Sequence, residues 1–227
     1  MKISERSYKG RSFRPRPEIM IEEQECLLIV ATPWGSRQSA KKAIQIMSEF
    51  FMSAKGDKEV TSPFPWLTCL SPTANVLRTG VMLANDYLYR EENRSEYQAG
   101  IEILVAATNN RELSFIQLGH PQVFLDRQDL PLFTVGSLTD LPLDYSQSKE
   151  QFPPLPSSLL GIHSTASLNV KTLRFNENDR LILLSHSFIP DAFYQTNCSD
   201  RSIEKISHLL SHNSPNEAFW LGQLTLP

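Results

Sequence analysis

The most constraining stretch of this chain is Leu181-Ile182-Leu183-Leu184, followed by Ser185-His186-Ser187. Four apolar residues bounded by polar ones read as a buried strand. A polar turn, Asn176-Glu177-Asn178-Asp179-Arg180, leads into it. The strand has to sit in a core, and it delivers Ser185 and His186 to the edge of that core. An earlier apolar run ends the same way in Gly119-His120-Pro121. The fold must place two strand-end histidines.

The elements around these strands set the class. Cys26 to Ala31 is apolar and stops at Thr32-Pro33-Trp34-Gly35-Ser36. Ala40, Ala43, Ile44, Met47, Phe50, Phe51 and Ala54 recur at helical spacing, with Ser36 or Ser39 placed to cap the segment. A second amphipathic helix carries Val76, Leu77, Gly80, Val81, Ala84 and Leu88, and Gly80 invites close helix packing. Gly100–Thr108, Asn109-Asn110 and Glu112–Leu118 read as a hairpin, with further strands over 122–126 and 132–135. Leu168–Phe175 is predicted to pair with 181–185, Asp200 to cap a last helix carrying Ile203, Ile206, Leu209 and Leu210, and 219–226 to form a final strand. Ile19–Ile21 belongs either to an N-terminal strand or to the turn after it. Two antiparallel sheets with helices outside bury every apolar face. The expected class is α+β, a four-layer helix–sheet–sheet–helix sandwich. We read one domain over 1–227, with 1–17 a basic N-terminal arm or edge strand and 137–158 a proline-rich surface loop.

Composition excludes some functions. Net charge is −3 with 41% hydrophobic and 21% charged residues, so no global basic field suggests nucleic acid. Lys2, Arg6, Lys9, Arg11, Arg14 and Arg16 face only Glu5 before residue 17, a local basic run. The three cysteines, Cys26, Cys69 and Cys198, show no metal or disulfide spacing and fit reduced thiols. No apolar run approaches a membrane span. The expectation is a soluble cytoplasmic protein without a nucleic-acid or membrane partner.

The order of elements, with several local phrases, resembles the PPM family of metal-dependent protein serine/threonine phosphatases over about residues 10–226. Asp179-Arg180-Leu181-Ile182-Leu183-Leu184-Ser185-His186-Ser187 is similar to that family's Asp-Arg-Leu-Leu-Leu-x-Ser-Asp-Gly phrase. Val30-Ala31-Thr32-Pro33 stands where a strand normally ends in Asp-Gly, and Gly119-His120-Pro121-Gln122 where Gly-Asp-Ser-Arg is usual. Asn216-Glu217 matches the Asp-Asn that enters the last strand. Arg11-Ser12-Phe13-Arg14-Pro15-Arg16 matches an Arg-x-x-Asn-x-Asp phrase.

The resemblance implies hydrolysis by a water activated between two hard divalent cations, which need carboxylate oxygens. The matching positions carry Arg16, Thr32, His120, His186 and Asn216, none of them a carboxylate. The resemblance therefore implies a degenerate former metal pocket, with no catalytic residue, metal or cofactor. The expected function is a catalytically inactive binding or regulatory module for a protein partner, with phosphoproteins as candidates. Arg11, Arg14 and Arg16 are the candidate phosphate grip. The alternative is an active serine/threonine phosphatase, or another phosphoester hydrolase, with a relocated metal site. A transition-metal site at His120 and His186 has only two ligands. Ser185 beside His186 is a poor nucleophile–base pair, because strand neighbours point to opposite faces.

Overall fold

The computed structural model describes residues 1–56, 63–136, 156, 158–186 and 188–227. Apart from 156 and 158, the proline-rich segment 137–158 lies outside the described residues. The chain divides into two compact units. One comprises 1–16, 120–156 and 176–227, and the other 17–119 and 157–175.

The first unit is built on a five-stranded antiparallel sheet. Its strands are β1 (Lys2–Tyr8), β6 (Gln122–Asp126), β7 (Phe133–Thr134), β9 (Arg180–Ser185) and β10 (Phe219–Thr225), in the order β1-β10-β9-β6-β7. The Leu181–Leu184 run is central and fully buried, as its composition requires. Phe124, Ile182, Leu184, Phe219 and Leu221 pack one face against Phe193 of helix α3 (Asp191–Tyr194) and against Ile203, Ile206 and Leu210 of α4 (Ile203–Asn213). Alternation puts Leu181, Leu183 and Ser185 on the opposite face. The N-terminal residues form an edge strand, β1, whose mostly exposed side chains include Lys2 and Arg6. Charge on an edge discourages further strand pairing.

One end of this sheet is held by buried ion pairs. Asp126 takes Arg201 Nη1 at 2.9 Å and Arg180 Nη2 at 2.7 Å, and Arg201 is only 3% exposed. Asp179 accepts a fork from Arg127 and the Asn176 N–H. Burial works against ionisation of Asp179, and these donors outweigh it, leaving the carboxyl below the ordinary aspartate value.

The second unit carries the other antiparallel sheet, in the order β2-β3-β4-β5-β8. Its strands are β2 (Glu18–Glu22), β3 (Leu27–Pro33), β4 (Ile101–Asn109), β5 (Glu112–Leu118) and β8 (Asn169–Arg174). Helices α1 (Arg37–Gly56) and α2 (Pro72–Tyr87) cover one face, burying Leu27, Ile29, Ala31, Met47, Phe51, Leu77, Val81 and Ile103 in one cluster. Gly80 lies on the α1 backbone at Met47, the close approach its position suggested. Ser71 caps α2 by accepting the Ala74 N–H at 3.2 Å, with Pro72 in the first turn. The β4–β5 hairpin turns at Asn110, with φ 55°.

Three sequence expectations are corrected. The stretch 168–175 does not pair with 181–185: β8 pairs with β5, and β9 lies between β10 and β6. The reason is burial, since the polar β8 sits at a sheet edge while the apolar β9 needs two neighbours. Ile19–Ile21 belongs neither to the first strand nor to a turn but to β2, which pairs with β3. Ser202, not Asp200, caps α4 by accepting the Lys205 N–H, and Asp200 instead pairs with Lys205 Nζ.

Candidate functional site

Sheet register brings the strand-end histidines together. Gln122 stands opposite Leu184, so the residues before β6 and those after β9, His120 and His186 among them, lie at the same end of the first unit's sheet. Trp220 stands opposite Ser185, which places Phe219 on the other side of His186. The Phe219 and His186 ring centroids are 5.8 Å apart. This is the sheet end remote from the Asp126 and Asp179 ion pairs.

The segment after β1 docks at the same end. The Arg11 and Ser12 N–H groups donate to the Asn216 carbonyl at 2.7 and 2.9 Å. Ser12 Oγ accepts from the Ala218 N–H and donates to Glu217. Gly10 permits the approach, because a Cβ there would lie 2.4 Å from the Asn216 oxygen. These bonds carry the chain to Arg14, whose Nε and Nη1 are enclosed away from solvent and whose charge is felt by His186. Arg11 and Arg16 are exposed. Asn216 is exposed too, and contributes its backbone oxygen to this docking.

His186 has no solvent exposure. The Phe188 N–H donates to its Nδ1 at 2.9 Å, so the neutral ring carries its proton on Nε2. Burial, then the Arg14 charge and His120, push its pKa down to about 4. Nε2 and the Ser185 Oγ are both buried without a hydrogen-bond partner among the described residues. No bond joins Ser185 to His186, and the imidazole atom that accepts is engaged by Phe188, so the pair is not assembled as nucleophile and base.

Thr32 belongs to the second unit, at the end of β3. It is fully buried, and its Oγ1 has no partner among the described residues. Across the ladder stands Glu102, a carboxylate 1% exposed that accepts the Trp34 Nε1–H at 2.8 Å. Gly119, at φ 73°, closes against it, since a Cβ there would lie 2.7 Å from the Glu102 carboxylate. Sequence reading passed over Glu102. The signal was available as the single charge in an otherwise apolar strand.

A pair of hard divalent cations asks for several carboxylate oxygens in fixed geometry. The first unit's sheet end offers a guanidinium and two imidazoles, and Glu217 there accepts from Ser12. Asp126 and Asp179 lie at the far end of the sheet in ion pairs. Among the described residues, no group of three or more His, Cys, Asp and Glu side chains gathers to hold an ion. A guanidinium and two imidazoles at that sheet end are not the hard oxygen donors that such a metal pair takes.

No family model matches the chain, and no curated protein matches it in sequence. Solved structures do. The Mycobacterium tuberculosis serine/threonine phosphatase PstP/Ppp superposes with a TM-score of 0.66 at 13% identity, covering 99% of this chain and 98% of that one. PppA, a key regulatory component of T6SS in Pseudomonas aeruginosa, gives 0.64 at 16% identity, covering 99% and 97%. The PPM Ser-Thr phosphatase MsPP from Mycobacterium smegmatis, in complex with cacodylate, gives 0.64 at 13% identity, covering 100% and 99%. The chain therefore has the α+β fold of the PPM phosphatases, with its two antiparallel sheets. At these identities the likeness establishes the fold. No helix among the described residues is long and apolar enough to cross a membrane.

Proposed function

We propose that this chain is a non-catalytic protein of phosphatase fold. It acts in the cytoplasm as a binding or regulatory module, and its partner is a phosphorylated protein. The observation that carries the reading is the half-buried Arg14, with Nε and Nη1 enclosed, whose charge is felt by His186. A cation there works against the divalent metal ions that PPM-type hydrolysis requires. The free thiols of Cys26, Cys69 and Cys198 fit a reducing compartment. PppA, a key regulatory component of T6SS, is a precedent for this fold in regulation.

The test is hydrolysis of an aryl phosphate and of a phosphoserine peptide with added Mn²⁺. The reading expects no turnover above a no-protein control. Turnover lost in His120→Ala or His186→Ala would overturn it.

One observation favours a second reading. Glu102 is a buried carboxylate opposite Thr32, so a relocated metal site in an active phosphatase would be built on it. Turnover lost in Glu102→Gln but kept in His186→Ala would favour that reading.

A further inference from the structure

We infer that His208 and His212, on the exposed face of α4, form a two-histidine clip for a borderline divalent transition ion of the Zn²⁺, Ni²⁺ and Cu²⁺ class. The clip belongs to a helix surface, and it stands whether or not the sheet end at His186 holds a metal pair.

Three observations carry it. The first is spacing. Residues four apart on an α-helix share a face, and two histidines at that spacing can ligate one zinc ion. α4 runs from Ile203 to Asn213, so both histidines lie in its last two turns. Its opposite face, with Ile203, Ile206 and Leu210, is packed on the sheet and fixes the backbone that presents them. The second is the arrangement of the rings. Their centroids are 6.2 Å apart and their planes lie within 5° of parallel. Metal–nitrogen bonds of about 2.0–2.1 Å put two ligating nitrogens at most about 4 Å apart, a span that small rotations of exposed side chains reach. The third is freedom. Both residues are exposed, and among the described residues no hydrogen bond or ion pair engages either imidazole.

The charges around the clip favour a cation. The last turn of a helix carries the negative end of its dipole. Glu204 stands one turn before His208 on the same face, its carboxylate 3.5 Å from Arg6 Nη2 in an exposed pair. Lys205 is drawn to the start of the helix, where its Nζ donates to Asp200 at 2.7 Å and to the Ser199 carbonyl at 3.2 Å. Two protein ligands leave positions open on the ion. On an exposed helix water fills them, so the clip binds more weakly than a site of three protein ligands. Imidazole nitrogen suits Zn²⁺, Ni²⁺ and Cu²⁺, whereas Mg²⁺ prefers oxygen.

The experiment titrates Zn²⁺ into the whole chain at pH 7.5, following the imidazole ¹⁵N signals and the heat of binding. Saturable binding that moves the His208 and His212 signals together is expected, and Mg²⁺ at the same concentrations moves neither. His208→Ala and His212→Ala each weaken Zn²⁺ binding by about tenfold or more, since losing a direct ligand costs no less than losing a supporting partner. Both positions are exposed and alanine favours a helix, so the variants fold; an unchanged unfolding temperature without metal checks this. Cys69→Ser and His163→Ala alter an exposed thiol and an exposed imidazole elsewhere, and stay within about threefold of the parent. No saturable Zn²⁺ binding to the parent chain overturns the inference, as does binding that survives in both alanine variants. Loss of binding in Cys69→Ser alone would assign the ion to the thiol and overturn it too. Binding that moves only the His186 signals would place the ion at the sheet end, with the same consequence.

Discussion

Lowering the pH should destabilise the fold through His186. The ring is fully buried and held neutral, with its pKa moved from 6.5 to about 4. The unfolded chain takes up a proton on this residue as pH falls through 6.5, while the folded chain does not until about 4. Stability from this group is therefore fully present above 6.5, declines between 6.5 and about 4, and is gone below that. The window spans about 2.5 pH units, and at about 1.4 kcal/mol per unit the loss approaches about 3 kcal/mol. The assay is urea denaturation at pH 7.5 and at pH 4.5, for the parent chain and for His186→Gln. The parent should lose more stability across that interval than the variant, by about 2 kcal/mol. An NMR titration placing His186 near 6.5, or equal pH dependence in parent and variant, would refute the reasoning.

Other perturbations test the frame that positions the site. Asp126→Asn leaves Arg201 buried beside a neutral amide and should cost about 3 kcal/mol, read as a lower urea midpoint with unchanged m-value. Asn93→Ala removes an amide that donates to Ala99 O and Gly161 O and accepts from the Gln98 and Ala99 N–H groups; about 3 kcal/mol should be lost on thermal unfolding. Gly119→Ala places a Cβ at positive φ and 2.7 Å from Glu102, so a loss of at least about 1 kcal/mol is expected in the same assay.

The frame was legible where hydrophobic pattern and burial coincide. Leu181–Leu184 is central because four consecutive apolar residues leave no face for water, and the Asn109-Asn110 turn announced its hairpin. Pairing was less legible. The polar β8 and the apolar β9 are neighbours in sequence, and proximity suggested a hairpin, but partner choice is set by long-range burial that a local window does not contain.

The site was half legible. The strand ends pointed to His120 and His186, and the register brings both to one end of the first unit's sheet. The basic run gave Arg11, Arg14 and Arg16 equal standing. What separates them is the enclosure of the Arg14 Nε and Nη1 once the chain docks at Asn216, a tertiary effect with no sequence signature beyond Gly10. Glu102 was hidden by its setting, since the apolar residues around it mark a strand and draw notice from the one charge it carries.

The reading proposed above is that basic side chains stand where the resemblance would place a metal pair. Its most direct test is a Mn²⁺ titration of the chain, with free ion counted by electron paramagnetic resonance and the His186 ring followed by NMR. No stoichiometric binding at millimolar Mn²⁺ and no localised paramagnetic broadening of the His186 signals are expected. Two equivalents of tightly bound Mn²⁺ that broaden those signals would contradict it.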